Sequence, residues 1–163
     1  MPTILDAVGL PQPEGMDGKS FVPLLKGKTQ NGWENVFTSI NKTAAERYYP
    51  MRCIQNKKYG YIFNSWSNGI TFFINESKSG ITYDAMKNAG KNDSEIEKRV
   101  NFYDYRTKEE FYDFEDDPDA LNNLIDDPDY NEEIEQLRNE LYQIMKETND
   151  PLLEEYEKRV IKD

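Results

Sequence analysis

The sequence predicts an α+β fold, a small antiparallel β-sheet of about four strands packed against a long C-terminal helix. Three observations carry the prediction. Residues 49–55 and 58–64 are neighbouring runs rich in aromatic and branched side chains, with Asn56-Lys57 between them, which is the pattern of a β-hairpin. Residues 35–40 and 111–114 supply two further strand-like runs. Finally, Tyr130, Ile134, Leu137, Leu141 and Ile144/Met145 recur at helical spacing and put one apolar stripe on a helix over 129–147.

In chain order, residues 2–10 read as a short helix, with Ile4, Leu5 and Val8 on one face and Gly9 placed to end it. Residues 11–18 are rich in Pro and Gly and form an irregular connection. Residues 20–27 read as one helical turn bounded by Gly27. A short helix followed by such a loop reads as the end of something begun earlier. In the hairpin, alternation puts Tyr59, Tyr61 and Phe63 on one face, with Gly60 and Ile62 on the other. The same alternation puts Tyr48, Arg52 and Ile54 together, so Arg52 is expected to be partly buried against a neighbouring domain. Between 65 and 105 lie an apolar stretch at 70–74, a helix-like stretch at 82–89 and a capped start at Asp93. Asp117-Pro118 and Asp127-Pro128 each offer an N-cap acid before a Pro at the first helical position. Asn149-Asp150-Pro151 stops the long helix, and residues 152–156 can form a last short one.

The 163 residues suit one domain. Hydrophobic residues make up 37%, but aromatics at 13% argue against disorder. No apolar run is long enough to cross a membrane, and the N-terminus lacks the basic flank of a signal peptide. A single cysteine, Cys53, excludes an internal disulfide and reads as a small core residue. The absence of histidine removes the commonest general base, the Ser-His and Cys-His nucleophile pairs and every His metal site. Charge is uneven: residues 1–100 hold 13 basic and 10 acidic side chains, residues 101–163 hold 7 and 21. Such an acidic C-terminal third disfavours nucleic acid and anionic membranes as partners, and a solvated acidic helix surface accounts for it.

Residues 42–58 interleave Lys42, Arg47, Arg52, Lys57 and Lys58 with Tyr48, Tyr49 and Met51. Cations among aromatics can grip an anionic polymer, with Arg donating to sulfate or phosphate oxygens and rings stacking on sugars or bases. An ordinary charged strand face fits the same residues, so both readings stand. The acidic strings 115–119 and 126–129 lack the alternating ligands and central Gly of a calcium loop, and helix capping explains them. Asn41-Lys42-Thr43, Asn75-Glu76-Ser77 and Asn92-Asp93-Ser94 are glycosylation sequons of the kind an Asn-rich chain produces by chance.

Two blocks carry a family resemblance. Pro2-Thr3-Ile4-Leu5-Asp6-Ala7-Val8-Gly9-Leu10-Pro11, followed by Gly18-Lys19-Ser20-Phe21-Val22-Pro23-Leu24-Leu25-Lys26-Gly27, resembles the sulfatase family just before its C-terminal subdomain. Phe111-Tyr112-Asp113-Phe114, Asp117-Pro118, Asn123-Leu124 and Asp127-Pro128-Asp129-Tyr130 resemble the family's closing block. Tyr48-Tyr49-Pro50-Met51-Arg52 and Tyr61-Ile62-Phe63-Asn64 look like the subgroup that contains heparan N-sulfatase, the sulfamidases. The resemblance implies the C-terminal subdomain of an alkaline-phosphatase-like sulfatase. Residues 1–32 would then close the catalytic α/β domain and cross over from it, and 33–163 would form the subdomain.

The family hydrolyses sulfate esters or sulfamates with a formylglycine and a calcium ion, and this chain has neither the motif nor the ligands. Both groups are expected in a missing N-terminal domain, the chain's natural partner, and the chain alone is expected to be inactive. The resemblance also implies a periplasmic, secreted or lysosomal parent acting on sulfated, glycosaminoglycan-like sugars. In the family the loop before the second strand borders the substrate pocket. Lys42, Glu46, Arg47, Tyr48 and Arg52 are therefore the candidate border residues, with no catalytic or metal residue in the chain. The sulfamidases often carry His and Glu in that loop, and this chain does not at the matching positions, so ester and sulfamate substrates both remain open. The apolar residues of 2–25 would pack against the large domain and, without it, are expected to support self-association. The competing class is a stand-alone acidic interaction module.

Overall fold

A computed structural model of the chain describes residues 1–16, 18–29 and 31–162. Asp17, read above as part of the Pro/Gly connection, lies outside the described residues, as do Gln30 and Asp163. The chain divides into two units, Met1–Glu34 and Asn35–Asp163.

The first unit contains two short helices, α1 (Pro2–Ala7) and α2 (Val22–Leu25), each with Pro in its first turn, where the missing N–H costs nothing. Gly9 and Gly27 follow them at φ +73° and +70°, the left-handed turn that closes a helix and that glycine adopts without a Cβ clash. The Thr3 hydroxyl accepts the Phe21 N–H (3.2 Å), and Phe21 meets Trp33 edge to face with 6.3 Å between centroids. Val22 is buried, whereas Ile4, Val8, Leu10, Phe21, Leu24 and Leu25 remain exposed.

The second unit is built on four antiparallel strands, β1 (Val36–Lys42), β2 (Tyr48–Gln55), β3 (Tyr59–Asn64) and β4 (Glu109–Asp113), in spatial order β1-β2-β3-β4. The register lines up Phe37, Ile54, Tyr61 and Phe111 across the sheet. These side chains share one face because successive residues of a strand alternate. Over that face lie α5 (Asn131–Glu147) and α6 (Leu153–Tyr156). Ile134, Leu137, Leu141 and Met145 of α5 are almost fully buried, as their spacing requires, and close the core with Phe63, Leu152 and Tyr156. The predicted sheet and helix are therefore present, with β4 running two residues earlier than read and the helix starting at Asn131.

Other expectations shift for local reasons. The tip of the β2–β3 hairpin is Lys57-Lys58 and not Asn56-Lys57, because Asn56 still pairs with Tyr59 (N to O, 2.9 Å). The Asn56 side chain accepts the N–H groups of Lys58 and Tyr59 at 2.8 Å each, an Asx turn. Asp127 caps a 3₁₀ turn, Pro128–Tyr130, that leads into α5. Asp117-Pro118 opens no helix. The Asp117 carboxylate instead accepts Leu121 N–H and Asn122 N–H (2.7 Å each) and closes a loop that Leu124 pins to Phe111. Between β3 and β4 stand two helices, α3 (Ile81–Gly90) and α4 (Ser94–Tyr105), the latter capped by Asp93 as expected. Cys53, expected in the core, is half-buried on the opposite face of β2, where its parity against core-facing Arg52 and Ile54 puts it. No helix among the described residues is long and apolar enough to cross a membrane.

Candidate functional site

The candidate border residues come together at one end of the β1–β2 hairpin. Lys42 ends β1, Tyr48 opens β2 opposite it, and Thr43–Arg47 make the turn (Thr43 N to Arg47 O, 2.9 Å; Glu46 N to Thr43 O, 3.0 Å). Glu46 holds φ +57°, an uncommon left-handed position for a residue with a Cβ. Lys42 and Glu46 form an ion pair at 2.7 Å in which both side chains are more than half exposed. Water screens such a pair, so it contributes little to stability. Tyr48 is 60% exposed. Arg47 is exposed, and its guanidinium has neither a carboxylate nor a hydrogen-bond partner among the described residues.

Arg52 is placed differently from the other four. It is 2% exposed, on the core face of β2, and its neighbour is not another domain but Asp150 of the same unit. The guanidinium donates through Nε to Asp150 Oδ2 (2.6 Å) and through Nη2 to Oδ1 (3.0 Å), a bidentate pair. Its Nη1 donates to the carbonyls of Met51 (2.9 Å) and Ile40 (3.3 Å) and to Asn41 Oδ1 (3.0 Å). The β1–β2 register shifts at that point, between Ile40 and Lys42. Arg52 therefore ties the irregular end of β1 to the chain reversal after α5. It shapes the loop from behind instead of facing a ligand.

Asp150 was read from sequence only as a helix stop. Asn149, at φ +50°, ends the helix, and Asp150 N–H returns to the Met145 carbonyl (2.8 Å), which turns the carboxylate onto the sheet. An arginine at a core-facing strand position was the available signal, since a buried guanidinium demands a carboxylate.

Two other buried carboxylates were also missed. Glu109 and Glu110 are adjacent in β4 and so point to opposite faces. On the core face Glu109 accepts from Tyr61 OH and Arg138 Nε, at 2.7 Å each. On the other face Glu110 accepts from Asn64 Nδ2 (2.6 Å), Tyr112 OH (2.6 Å) and Arg106 Nε (2.7 Å). Burial, with Glu110 nearby, pushes the Cys53 thiol up to about 11. At neutral pH it is a thiol, which is a poor nucleophile.

Neither calcium nor a formylglycine fits these residues. Among the described residues no three Cys, Asp or Glu side chains converge on one point where an ion could sit. In the acidic strings Asp117 accepts the Leu121 N–H (2.7 Å) and Asp127 the Asp129 N–H (3.0 Å). Cys53 is followed by Ile54-Gln55-Asn56-Lys57, which is not the sulfatase nucleophile motif.

No family model matches the chain. It is 32% identical to the ulvan-active sulfatase of Formosa agariphila over 157 residues, covering 94% of this chain and 29% of that protein. It is 29% identical to the N-sulphoglucosamine sulphohydrolase of Homo sapiens, covering 92% of this chain and 32% of that protein. The chain thus spans about a third of the length of the curated relatives it matches. Its fold is also that of part of a solved 2-O GAG sulfatase, with a TM-score of 0.59 and 20% identity over 91% of this chain and 24% of the other. Sequence and fold together identify the chain as a relative of the sulfatases that corresponds to their C-terminal portion.

Proposed function

We propose that the chain serves as the C-terminal subdomain of a sulfatase that hydrolyses sulfate esters or sulfamates on sulfated, glycosaminoglycan-like sugars. Residues 35–163 form the subdomain, and the segment before them closes a catalytic domain that carries the formylglycine and calcium. The whole protein works outside the cytoplasm, in the periplasm, the medium or a lysosome. The subdomain completes the fold and borders the substrate pocket with the loop from Lys42 to Tyr48.

The observation that carries this reading is the build of that loop. The Arg47 guanidinium has no partner among the described residues, Tyr48 is 60% exposed, and the Arg52–Asp150 pair fixes the strand ends behind them. An unpaired guanidinium beside an exposed ring suits a sulfated sugar, taking sulfate or carboxylate oxygens on its paired N–H groups. The relatives' names support the substrate class: one acts on ulvan, one on N-sulphoglucosamine, and the structural neighbour is a 2-O GAG sulfatase.

The test is a chimera in which this chain replaces the matching segment of the ulvan-active sulfatase. It should release sulfate from a sulfated oligosaccharide, whereas the chain alone releases none. Arg47→Ala in the chimera should raise KM about tenfold and leave kcat within about twofold, as for a lost charge-assisted contact. A folded chimera without turnover, or an unchanged KM in the variant, would overturn the proposal.

A further inference from the structure

The chain has six arginines, and four of them are bound to carboxylates: Arg52 to Asp150, Arg106 to Glu110, Arg138 to Glu109 and Arg159 to Glu155. Arg47 and Arg99 have no ion pair among the described residues. In a chain with 31 acidic residues and a net charge of −11, a guanidinium with no ion pair among the described residues is open to an anionic ligand. Arg47 belongs to the loop already described. Arg99 lies far from it in sequence, on α4, in the helical segment between β3 and β4.

Arg99 stands between two clefts and lines both. One, of about 420 Å³, is walled by Arg99, Phe102 and Tyr103 on α4, by Arg106 just after it, and by Leu121 and Asn122 of a later loop. The other, of about 290 Å³, is walled by Arg99 and Tyr103 with Thr82, Tyr83 and Met86. Arg99 and Tyr103 are four residues apart and so share a face of α4. Together they make a ridge that is cationic at one end and aromatic at the other.

The walls are held in place before any ligand arrives. Lys78 sits over the Phe72 ring at 3.7 Å and pairs with the buried carboxylate of Asp104. Asp104 also accepts Tyr83 OH (2.8 Å), and Tyr103 OH donates to Asn75 Oδ1 (2.8 Å). Those polar ends are satisfied inside the fold, and Lys78 lies near both the Tyr83 and Tyr103 rings, which fixes them as wall of the smaller cleft. Glu95, the one carboxylate lining the larger cleft, is engaged by Lys98 at 2.8 Å. Across residues 65–108 basic side chains number seven against six acidic, so this region does not share the acidity of the C-terminal third.

We infer that the Arg99–Tyr103 ridge and its two clefts form an accessory saccharide site that holds a sulfated sugar unit away from the reacting one. This rests on the function proposed above. Arg99 would take the sulfate oxygens on its paired N–H groups. The apolar parts of Tyr103 and Met86 that line the smaller cleft would take the C–H face of the adjoining ring, as in pockets where a few polar groups orient a largely apolar contact. Such a site recognises a chain of sugars, not a single unit.

The test is an NMR titration of the full chain with a heparin-derived tetrasaccharide, with a desulfated tetrasaccharide as control. Shifts should appear at 82–86, 99–106 and 120–122 for the sulfated sugar alone. Arg99→Ala should weaken that binding at least about tenfold, Arg99→Lys less, since it keeps the charge without the fork. Far-UV circular dichroism of the exposed-site variants controls for folding, and Arg47→Ala should leave the shifts in place. Shifts confined to 42–48, or an affinity that Arg99→Ala leaves within about twofold, would overturn the inference while the function proposed above stands on its chimera. No binding by about 10 mM sugar would also overturn it.

Discussion

Removing the Asp150 carboxylate should unfold the second unit more readily than most core truncations. In Asp150→Ala the Arg52 guanidinium, 2% exposed, loses both charge-assisted bonds, at 2.6 and 3.0 Å. Water cannot replace them at that depth. Breaking a buried pair from one side costs about 3–5 kcal/mol, because a charge is left without compensation. The Leu152 N–H also loses its acceptor, Asp150 Oδ1 at 2.8 Å, in the turn that leads to α6. For a chain of this size each kcal/mol moves Tm by about 2–4 °C, so a fall of about 6–20 °C is expected. Urea unfolding followed by far-UV circular dichroism gives the free energy, and a thermal scan gives Tm. The double variant Arg52→Met, Asp150→Leu separates charge from packing: it should recover most of the loss, since an apolar pair of similar volume is often as stable as a buried ion pair. A loss below about 1 kcal/mol in Asp150→Ala would mean that the guanidinium reaches water, and the account of a loop fixed from behind would fall with it.

Three further outcomes follow from the same structure. Leu137→Ala, at a site 1% exposed in the centre of the α5 face, should cost about 2–5 kcal/mol, and a loss below about half a kcal/mol would show that this face is not core. The Tyr61, Tyr112 and Tyr156 phenols are raised above the usual 10.0, chiefly by burial, with the nearby carboxylates Glu109 and Glu110 adding to it. Because the folded state holds these protons more tightly, the stability they carry is full below about pH 10, where the unfolded chain also keeps them, and is lost as the pH rises further. The urea midpoint should therefore fall above about pH 10, less steeply in Tyr112→Phe, and a flat profile would refute the assignment. Residues 2–25 expose Ile4, Val8, Leu10, Phe21, Leu24 and Leu25, so the sedimentation coefficient of the full chain should rise with concentration and that of residues 35–163 should not. Flat behaviour in both would rule out self-association through this segment.

How much of this was legible in advance differs from element to element. The stripe Ile134, Leu137, Leu141 and Met145 placed α5 and its buried face, because helical periodicity is a local property that a sequence displays directly. The β2–β3 hairpin and the cap at Asp93 were legible for the same reason, since turn and cap chemistry act over three or four residues. Asp117-Pro118 misled because the same side-chain acceptor that caps a helix also closes a loop. Only the path of the following residues tells the two apart.

The sequence by itself determined the kinds of element, their order, the absence of a histidine, and the motifs shared with sulfatases. Only the tertiary structure decided which carboxylate answers which arginine. Arg52 and Asp150 are 98 positions apart, and Glu109 meets Arg138 across the sheet–helix layer, so no local pattern announces either pair. A charge is tolerated inside a protein only where its partner has been brought to it. The chain folding as a whole therefore determined that Arg52 is structural and that Arg47 and Arg99 stand at the surface with no ion pair among the described residues.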